Sequence, residues 1–174
     1  AYGRCRYSLQ RRHRARANDK HDKACAMARL SGTPADRRTK CRAIAVAIIP
    51  KSILDNQWAR ASRTAANRLR TALMRCAHGS ARKLRCIEIL SACFYDPTKM
   101  DPIFASVYRS FTQTRRLLRK NEDRKTRFIE DYSNIYRHTV SYNGPVCGLQ
   151  EAADTIGLYV RVDNGELLIS TPEG

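Results

Sequence analysis

Four side chains of the types that bind metals lie within residues 76–93 of the sequence: Cys76, His78, Cys86 and Cys93. Such a set of thiols and an imidazole is what a structural zinc site uses. Structural zinc sites, however, usually take paired ligands from tight turns. The three cysteines also fit apolar helix positions, where a free cysteine packs as a small hydrophobic side chain. We therefore expect no metal ion and no other cofactor.

The carboxylates form no catalytic constellation. Asp96 and Asp101 each precede a proline and are explained as helix caps. Glu130 and Asp131 have the setting of solvated ion pairs, and Glu88 can pair with a neighbouring arginine. The sequence also contains no Gly-rich phosphate loop, no paired-His zinc-hydrolase motif and no Gly-x-Ser-x-Gly elbow. We therefore expect a protein that is not an enzyme.

The outstanding chemical feature of the sequence is its excess of positively charged side chains. It has 33 Lys+Arg against 16 Asp+Glu, a formal net charge of +17. A compact chain with this charge repels itself unless a polyanion neutralises it, and nucleic acid is the commonest such partner. Arginine outnumbers lysine, which suits bidentate contact with phosphate. An anionic membrane surface is the competing interpretation.

The charge is graded along the chain. Residues 1–42 carry 13 basic and 3 acidic side chains, whereas residues 141–174 carry 1 basic and 5 acidic side chains. This gradient predicts a nucleic-acid-binding end and a non-binding end. The predicted phosphate contacts come from an N-terminal arm, a basic linker and the faces of three helices. They are Arg4, Arg6, Arg11, Arg12, Arg14, Arg16, Arg37, Arg38, Arg60, Arg63, Arg70, Arg75, Arg82, Lys83, Arg116 and Lys120.

The helix expected to end at His78 has the clearest of these faces. At 100° per residue, Leu69 falls on its apolar stripe, while Arg63 and Arg70 point to the opposite, polar side. The sequence therefore predicts that replacing both arginines by glutamate weakens binding and leaves thermal stability nearly unchanged. Tyrosines and histidines among the arginines of the arm are suited to stacking on bases, which favours RNA over DNA.

The pattern of elements predicts a mainly α protein built on an antiparallel bundle of about four helices. We expect three segments. Residues 1–42 are an Arg-rich arm with a short helix that starts at Asn18 or Asp19, residues 43–138 are the helical core, and residues 139–174 are a small acidic element with a helix and a β-hairpin.

Boundary signals place the elements within these segments. Residues 42–49 fit either a strand or a helix, closed by Pro50. The core helices are expected at 53–78 behind a capping box at Ser52, at 81–95 in the centre of the core, from Pro102, and from Asn121 to His138. The last elements expected are a helix at 149–156 ended by Gly157 and a hairpin around Asn164-Gly165.

The seven cysteines are odd in number and irregularly spaced, which indicates a reducing compartment, either cytoplasm or mitochondrion. The acid-free, Arg-containing start has a faint presequence character, although we expect that it is not a cleaved segment. The longest apolar run, at 43–49, is too short to span a bilayer.

Together these features predict a non-enzymatic subunit of a large ribonucleoprotein assembly, such as a ribosome, that binds the phosphate backbone of RNA. Its acidic C-terminal element is expected to face solvent or a protein neighbour. A viral coat or genome-packaging protein with a basic arm is one alternative. A DNA-binding regulator or replication initiator is another, and an enzyme acting on nucleic acid is the last.

Overall fold

A computed structural model describes residues 2–30, 34–54, 60–78, 96–137 and 145–173. The chain is mostly helical, with a two-stranded antiparallel hairpin near its C-terminus, which confirms the predicted mainly α class. The described residues divide into two compact units, one that ends at Ser106 and one that begins at Val107. The antiparallel bundle and the three predicted segments stay predictions.

The first unit begins with α1 (Tyr2–Leu30), α2 (Arg37–Ala43), a π-helical segment (Ile44–Ile48), α3 (Ile49–Ser52), α4 (Arg63–His78) and α5 (Pro97–Met100). The division between the units falls within α6 (Pro102–Lys120). The second unit continues with α7 (Glu122–Arg137), α8 (Pro145–Ile156), β1 (Tyr159–Asp163) and β2 (Glu166–Ser170). The expected helix at 81–95 lies outside the described residues.

The N-terminal segment is one long helix, Tyr2–Leu30, so the prediction that its helix starts at Asn18 or Asp19 is wrong. Arginine, alanine, lysine and glutamine favour helix, and no glycine or proline interrupts residues 4–30. Asn18 is not an N-cap of this helix, because its side-chain oxygen accepts a hydrogen bond from the Ser62 backbone N–H at 2.8 Å. Ala17, Ala24 and Ala28 form the buried stripe of α1, at helical spacing.

The ambiguous segment at 42–49 is helical and continues through Pro50 to Ser52. Just before the proline the helix widens, and the Ile49 N–H donates to the Ile44 carbonyl five residues back. A proline ring collides with the carbonyl four residues earlier in a regular helix. The wider π turn avoids that collision, so the prediction that Pro50 ends the element is wrong.

The helix α4 begins ten residues later than the capping box predicted. The Ser52 hydroxyl instead donates to the Ile49 carbonyl at 2.8 Å, as the end of α3. Ser62 provides the N-cap, because its side-chain oxygen accepts from the Ala65 N–H at 3.2 Å. The apolar stripe of α4 packs against α1, and Leu69 is fully buried in this core as predicted.

A buried ion pair joins α4 to the start of α6. The Arg70 Nε donates to Asp101 Oδ2 at 2.8 Å, and a second guanidinium nitrogen contacts the same oxygen. Asp101 is fully buried and Arg70 is only 12% exposed, so the prediction that Arg70 lies on a solvent face is wrong. The other oxygen of Asp101 accepts from the Ile103 N–H at 2.9 Å, which confirms Asp101 as the cap of α6.

A buried tyrosine organises the second unit. The Tyr132 hydroxyl of α7 lies 3.0 Å from the Val160 carbonyl of β1 and also contacts the side-chain oxygen of Gln150 in α8. Phe128, Leu149 and Val160 surround its ring in one apolar cluster. Asn121 is the N-cap of α7, as predicted, because its side-chain oxygen accepts from the Arg124 N–H at 3.1 Å.

The C-terminal turns follow the sequence signals closely. Gly157 has φ +70° and ends α8, and the Leu158 N–H donates to the Ala153 carbonyl at 3.0 Å. Asn164 and Gly165 both have positive φ, which gives the two-residue turn that matches the twist of β1 and β2. The prediction that α8 starts at Leu149 is wrong, because the helix starts at Pro145, a residue favoured at the first helical position.

Large apolar side chains recur at helical spacing along α6, at Phe104, Val107 and Tyr108, but not all of them are buried. Val107 is buried, but Phe104 and Tyr108 are 42% and 59% exposed. Small side chains, among them Ala105 and Ser110, are buried instead. At Phe104 and Tyr108, therefore, a large apolar side chain at helical spacing does not identify the buried face of α6.

The Arg70–Asp101 pair yields the first prediction. Replacing Arg70 by methionine leaves a buried carboxylate without its charge partner, so we expect the free energy of unfolding to fall by about 3 kcal/mol. Adding Asp101→Asn, which removes the charge and keeps a capping side chain, restores most of that loss. Urea denaturation measures both, with exposed Arg63→Met as the matched control. A loss in Arg70→Met no larger than in the control contradicts the structural role of the pair.

The second prediction concerns the pH dependence of stability. Burial lowers the pKa of His21 from its ordinary value of 6.5, and its bond to the Ala17 carbonyl and the Asp22 carboxylate oppose this less strongly. The unfolded chain therefore takes up this proton first. The stabilisation is complete above pH 6.5 and is lost as the pH falls through 6.5 towards the folded pKa.

We accordingly expect a lower urea midpoint at pH 5.5 than at pH 7.5, and a smaller difference in a His21→Gln variant. Ala15→Gln, an exposed substitution on the same helix, is the control and should keep the full difference. The lowered pKa values of Asp36 and Asp96 place their titration below this pH window. An unchanged pH dependence in His21→Gln would refute the assignment.

Candidate functional site

A cavity lined by polar and charged side chains lies between α1 and α4 in the first unit. We call this cavity of about 640 Å³ the α1–α4 groove. Its lining residues are Asp22, Cys25, Ala26, Arg29, Thr64, Asn67, Arg68, Thr71, Ala72 and Arg75.

Helical periodicity sets the α4 wall of this groove. Thr64, Arg68, Thr71 and Arg75 recur every three or four residues and so share one face of the helix. The neighbouring stripe, which includes Leu69, is buried against α1. The arginines of the groove are thus held beside the core by the packing that joins the two helices.

The α1 wall is built in the same way. Ala24 and Ala28 face the core, and their small side chains allow α1 to pack closely on α4. Asp22, Cys25 and Arg29 recur at helical spacing along the edge of that contact. Arg29 therefore reaches the cavity from the wall opposite Arg68 and Arg75.

The groove is electropositive. Among the described residues that line it, Arg29, Arg68 and Arg75 face a single carboxylate, that of Asp22. A guanidinium nitrogen of Arg68 lies 3.6 Å from Asp22 Oδ1, with side chains 61% and 53% exposed. Such an exposed pair contributes little to stability, so the guanidinium can exchange this carboxylate for an external anion.

The groove offers binding groups rather than reactive ones. Burial raises the pKa of the Cys25 thiol, with a further contribution from Asp22, so the thiol stays protonated and is a poor nucleophile. The Thr71 hydroxyl donates to the Asn67 carbonyl at 3.0 Å. Within the described part of the chain, no group of three or more His, Cys, Asp or Glu side chains is placed to hold a metal ion. The arrangement is suited to holding an anion.

Of the predicted phosphate ligands whose side chains the structure describes, Arg75 alone lines the groove. Arg60 and Arg70 are engaged inside the first unit, with Arg60 Nε donating to Ser106 Oγ at 3.2 Å. The predicted residues that lie exposed elsewhere are Arg12, Arg14, Arg16, Arg37, Arg38, Arg63, Arg116 and Lys120. The side chains of Arg4, Arg6, Arg11, Arg82 and Lys83 lie outside the described residues.

Sequence reasoning missed Arg29 and Arg68 as members of a shared site. Arg68 is seven residues before Arg75, a spacing that places both on one helix face. Arg29 carried no such signal, because its position depends on how α1 packs against α4. Of the four side chains of metal-binding type, Cys76 is half-buried and packs against the apolar core of the first unit. The side chains of His78, Cys86 and Cys93 lie outside the described residues.

No helix in the described ranges has both the length and the apolar character needed to cross a bilayer.

No protein-family model, no curated protein and no solved structure matches the chain.

Proposed function

We propose that this protein binds RNA along the phosphate backbone, as a non-enzymatic basic subunit of a large ribonucleoprotein assembly. The observation that carries the proposal is the α1–α4 groove. Three guanidinium groups there share a cavity with one half-exposed carboxylate. A guanidinium presents a planar fork of N–H donors that matches two phosphate oxygens.

The same geometry argues for binding that is largely independent of sequence. The described lining contains no aromatic side chain on which a base could stack. Its remaining polar side chains, such as Thr64 and Asn67, are of the kind that contacts phosphate and sugar as readily as bases. Affinity in this proposal comes from backbone neutralisation, which positions a nucleic acid without reading it.

Exposed cations elsewhere on α1 add to the positive charge of the first unit. Arg12 and Arg16 are exposed on the same helix that provides Arg29. With the net charge of +17 they account for a long-range attraction to polyanions. The acidic C-terminal element, in this proposal, is left for solvent or protein neighbours.

The third prediction is a steep salt dependence. Three to four phosphate contacts on single-stranded RNA give a log–log slope of about −2 to −3, so affinity for random RNA should fall by about tenfold or more between about 50 and 200 mM salt. Fluorescence anisotropy with labelled random RNA measures this. A nearly flat salt series would contradict backbone binding. A preference for one duplex DNA site by about a thousandfold or more would indicate the DNA-binding alternative instead.

The fourth prediction locates the contact. Arg68→Gln with Arg75→Gln removes two groove cations, so we expect the slope to become less steep by about 1 and the affinity to fall by about tenfold. The matched control is Lys51→Gln with Arg161→Gln, two exposed cations outside the groove with the same change in net charge. Thermal melts check that both variants fold. Equal losses in the two variants would mean that only net charge matters and that the groove is not the site.

A further inference from the structure

The second unit has a groove of its own, between β2 and α6. It has a volume of about 630 Å³, and we call it the β2–α6 groove. Its lining residues are Phe111, Thr114, Arg115, Leu118, Arg119, Glu122, Lys125, Leu149, Leu167 and Ile169.

The floor of this groove is a continuation of the apolar core. Leu149 is fully buried, and Phe111, Leu118 and Leu167 are partly buried against the same cluster. Ile169 also lines the groove but is 48% exposed. Leu167 and Ile169 are two residues apart on β2, so they share one face of the strand. The groove thus presents apolar surface that alternate side chains of an extended segment can cover.

The strand β2 has an edge that can accept such a segment. Within the described residues it pairs only with β1, which in turn packs against α7 and α8. The outer backbone groups of an edge strand form hydrogen bonds readily with an added strand. The groove lies between α6 and the β2 face that carries Leu167 and Ile169. A strand added at the edge of β2 continues that face of the sheet.

The rim of the groove sets the charge of its occupant. Arg115 and Arg119 lie one turn apart on α6, and both are exposed. The Lys125 Nζ lies 3.4 Å from Glu122 Oε2, so these two rim charges offset each other. The remaining positive charge is that of the two arginines, which favours a carboxylate-bearing occupant.

We propose that the β2–α6 groove binds an extended acidic peptide segment of a protein partner. The segment adds to the edge of β2, places alternate apolar side chains over Leu118, Leu167 and Ile169, and sets its carboxylates against Arg115 and Arg119. The proposal uses the second unit alone and does not depend on RNA binding by the α1–α4 groove.

The test uses the full chain and a fluorescein-labelled octapeptide of alternating glutamate and valine, measured by fluorescence anisotropy. Arg115→Gln with Arg119→Gln should weaken binding by about tenfold or more, since two charge-assisted contacts are lost. Arg116→Gln with Lys120→Gln is the matched control, because it removes two exposed cations of the same helix that do not line the groove. Ile169→Thr should weaken binding without lowering the melting temperature substantially.

Peptide variants separate strand addition from simple charge attraction. A peptide with serine in place of valine, and one with alternate amides N-methylated, should each bind about tenfold more weakly or not at all. Hydrogen exchange at residues 166–170 should slow when the unmodified peptide binds. Equal binding of the N-methylated peptide overturns strand addition, and equal losses in the two arginine variants overturn the site.

Three further outcomes overturn the choice of occupant. If dodecanoate binds in the groove and the peptide does not, the site belongs to an aliphatic anion. If the chain dimerises in solution, and Arg115→Gln with Arg119→Gln abolishes dimerisation while the peptide does not bind, the occupant is a second copy. If RNA binding is lost in Arg115→Gln with Arg119→Gln and kept in Arg116→Gln with Lys120→Gln, the groove binds RNA and the peptide site is overturned.

Discussion

The first unit depends on one carboxylate, that of Asp101. Its two oxygens serve different elements, because one accepts the backbone N–H that begins α6 and the other holds the guanidinium of Arg70 from α4. A fully buried carboxylate would be costly if either partner were missing. The pair therefore fixes where α6 starts relative to α4, and Arg60 adds a second polar contact to α6 through Ser106.

This constraint divides the arginines of α4 into two classes. Arg70 is needed inside the unit, whereas Arg68 and Arg75 emerge beside α1 in the α1–α4 groove. The helix is thus both a core element and one wall of the proposed RNA contact. Its cationic character cannot be explained by binding alone, because part of the positive charge neutralises Asp101. The excess positive charge that lines the α1–α4 groove is not explained by Asp101, and our proposal rests on that charge.

In the second unit, β1 belongs to the apolar core, whereas β2 borders the β2–α6 groove. Tyr132 joins α7, α8 and β1 through its hydroxyl and its buried ring, so β1 is held firmly against the helices. β2 is attached through β1 and borders the β2–α6 groove. Among the described residues β2 pairs along one edge, with β1, and the proposed peptide adds to the other edge. The acidic composition of residues 141–174 does not describe this groove, because its rim arginines come from α6.

The sequence by itself determined the features that rest on local chemistry: the helical class, the caps at Asp101 and Asn121, and the positive-φ turns at Gly157, Asn164 and Gly165. In each of these the side chain or the glycine acts on backbone within a few residues. Only the tertiary structure decided which arginines are structural and which line a groove, since Arg70 and Arg75 both fall outside the apolar stripe of α4 on a helical projection. It also decided that Asn18 accepts a bond from Ser62 rather than capping its own helix, and that a π turn carries the chain past Pro50. How deeply a side chain is buried, and which residue of another helix it contacts, depend on how the helices pack. Helical spacing alone does not predict either of them.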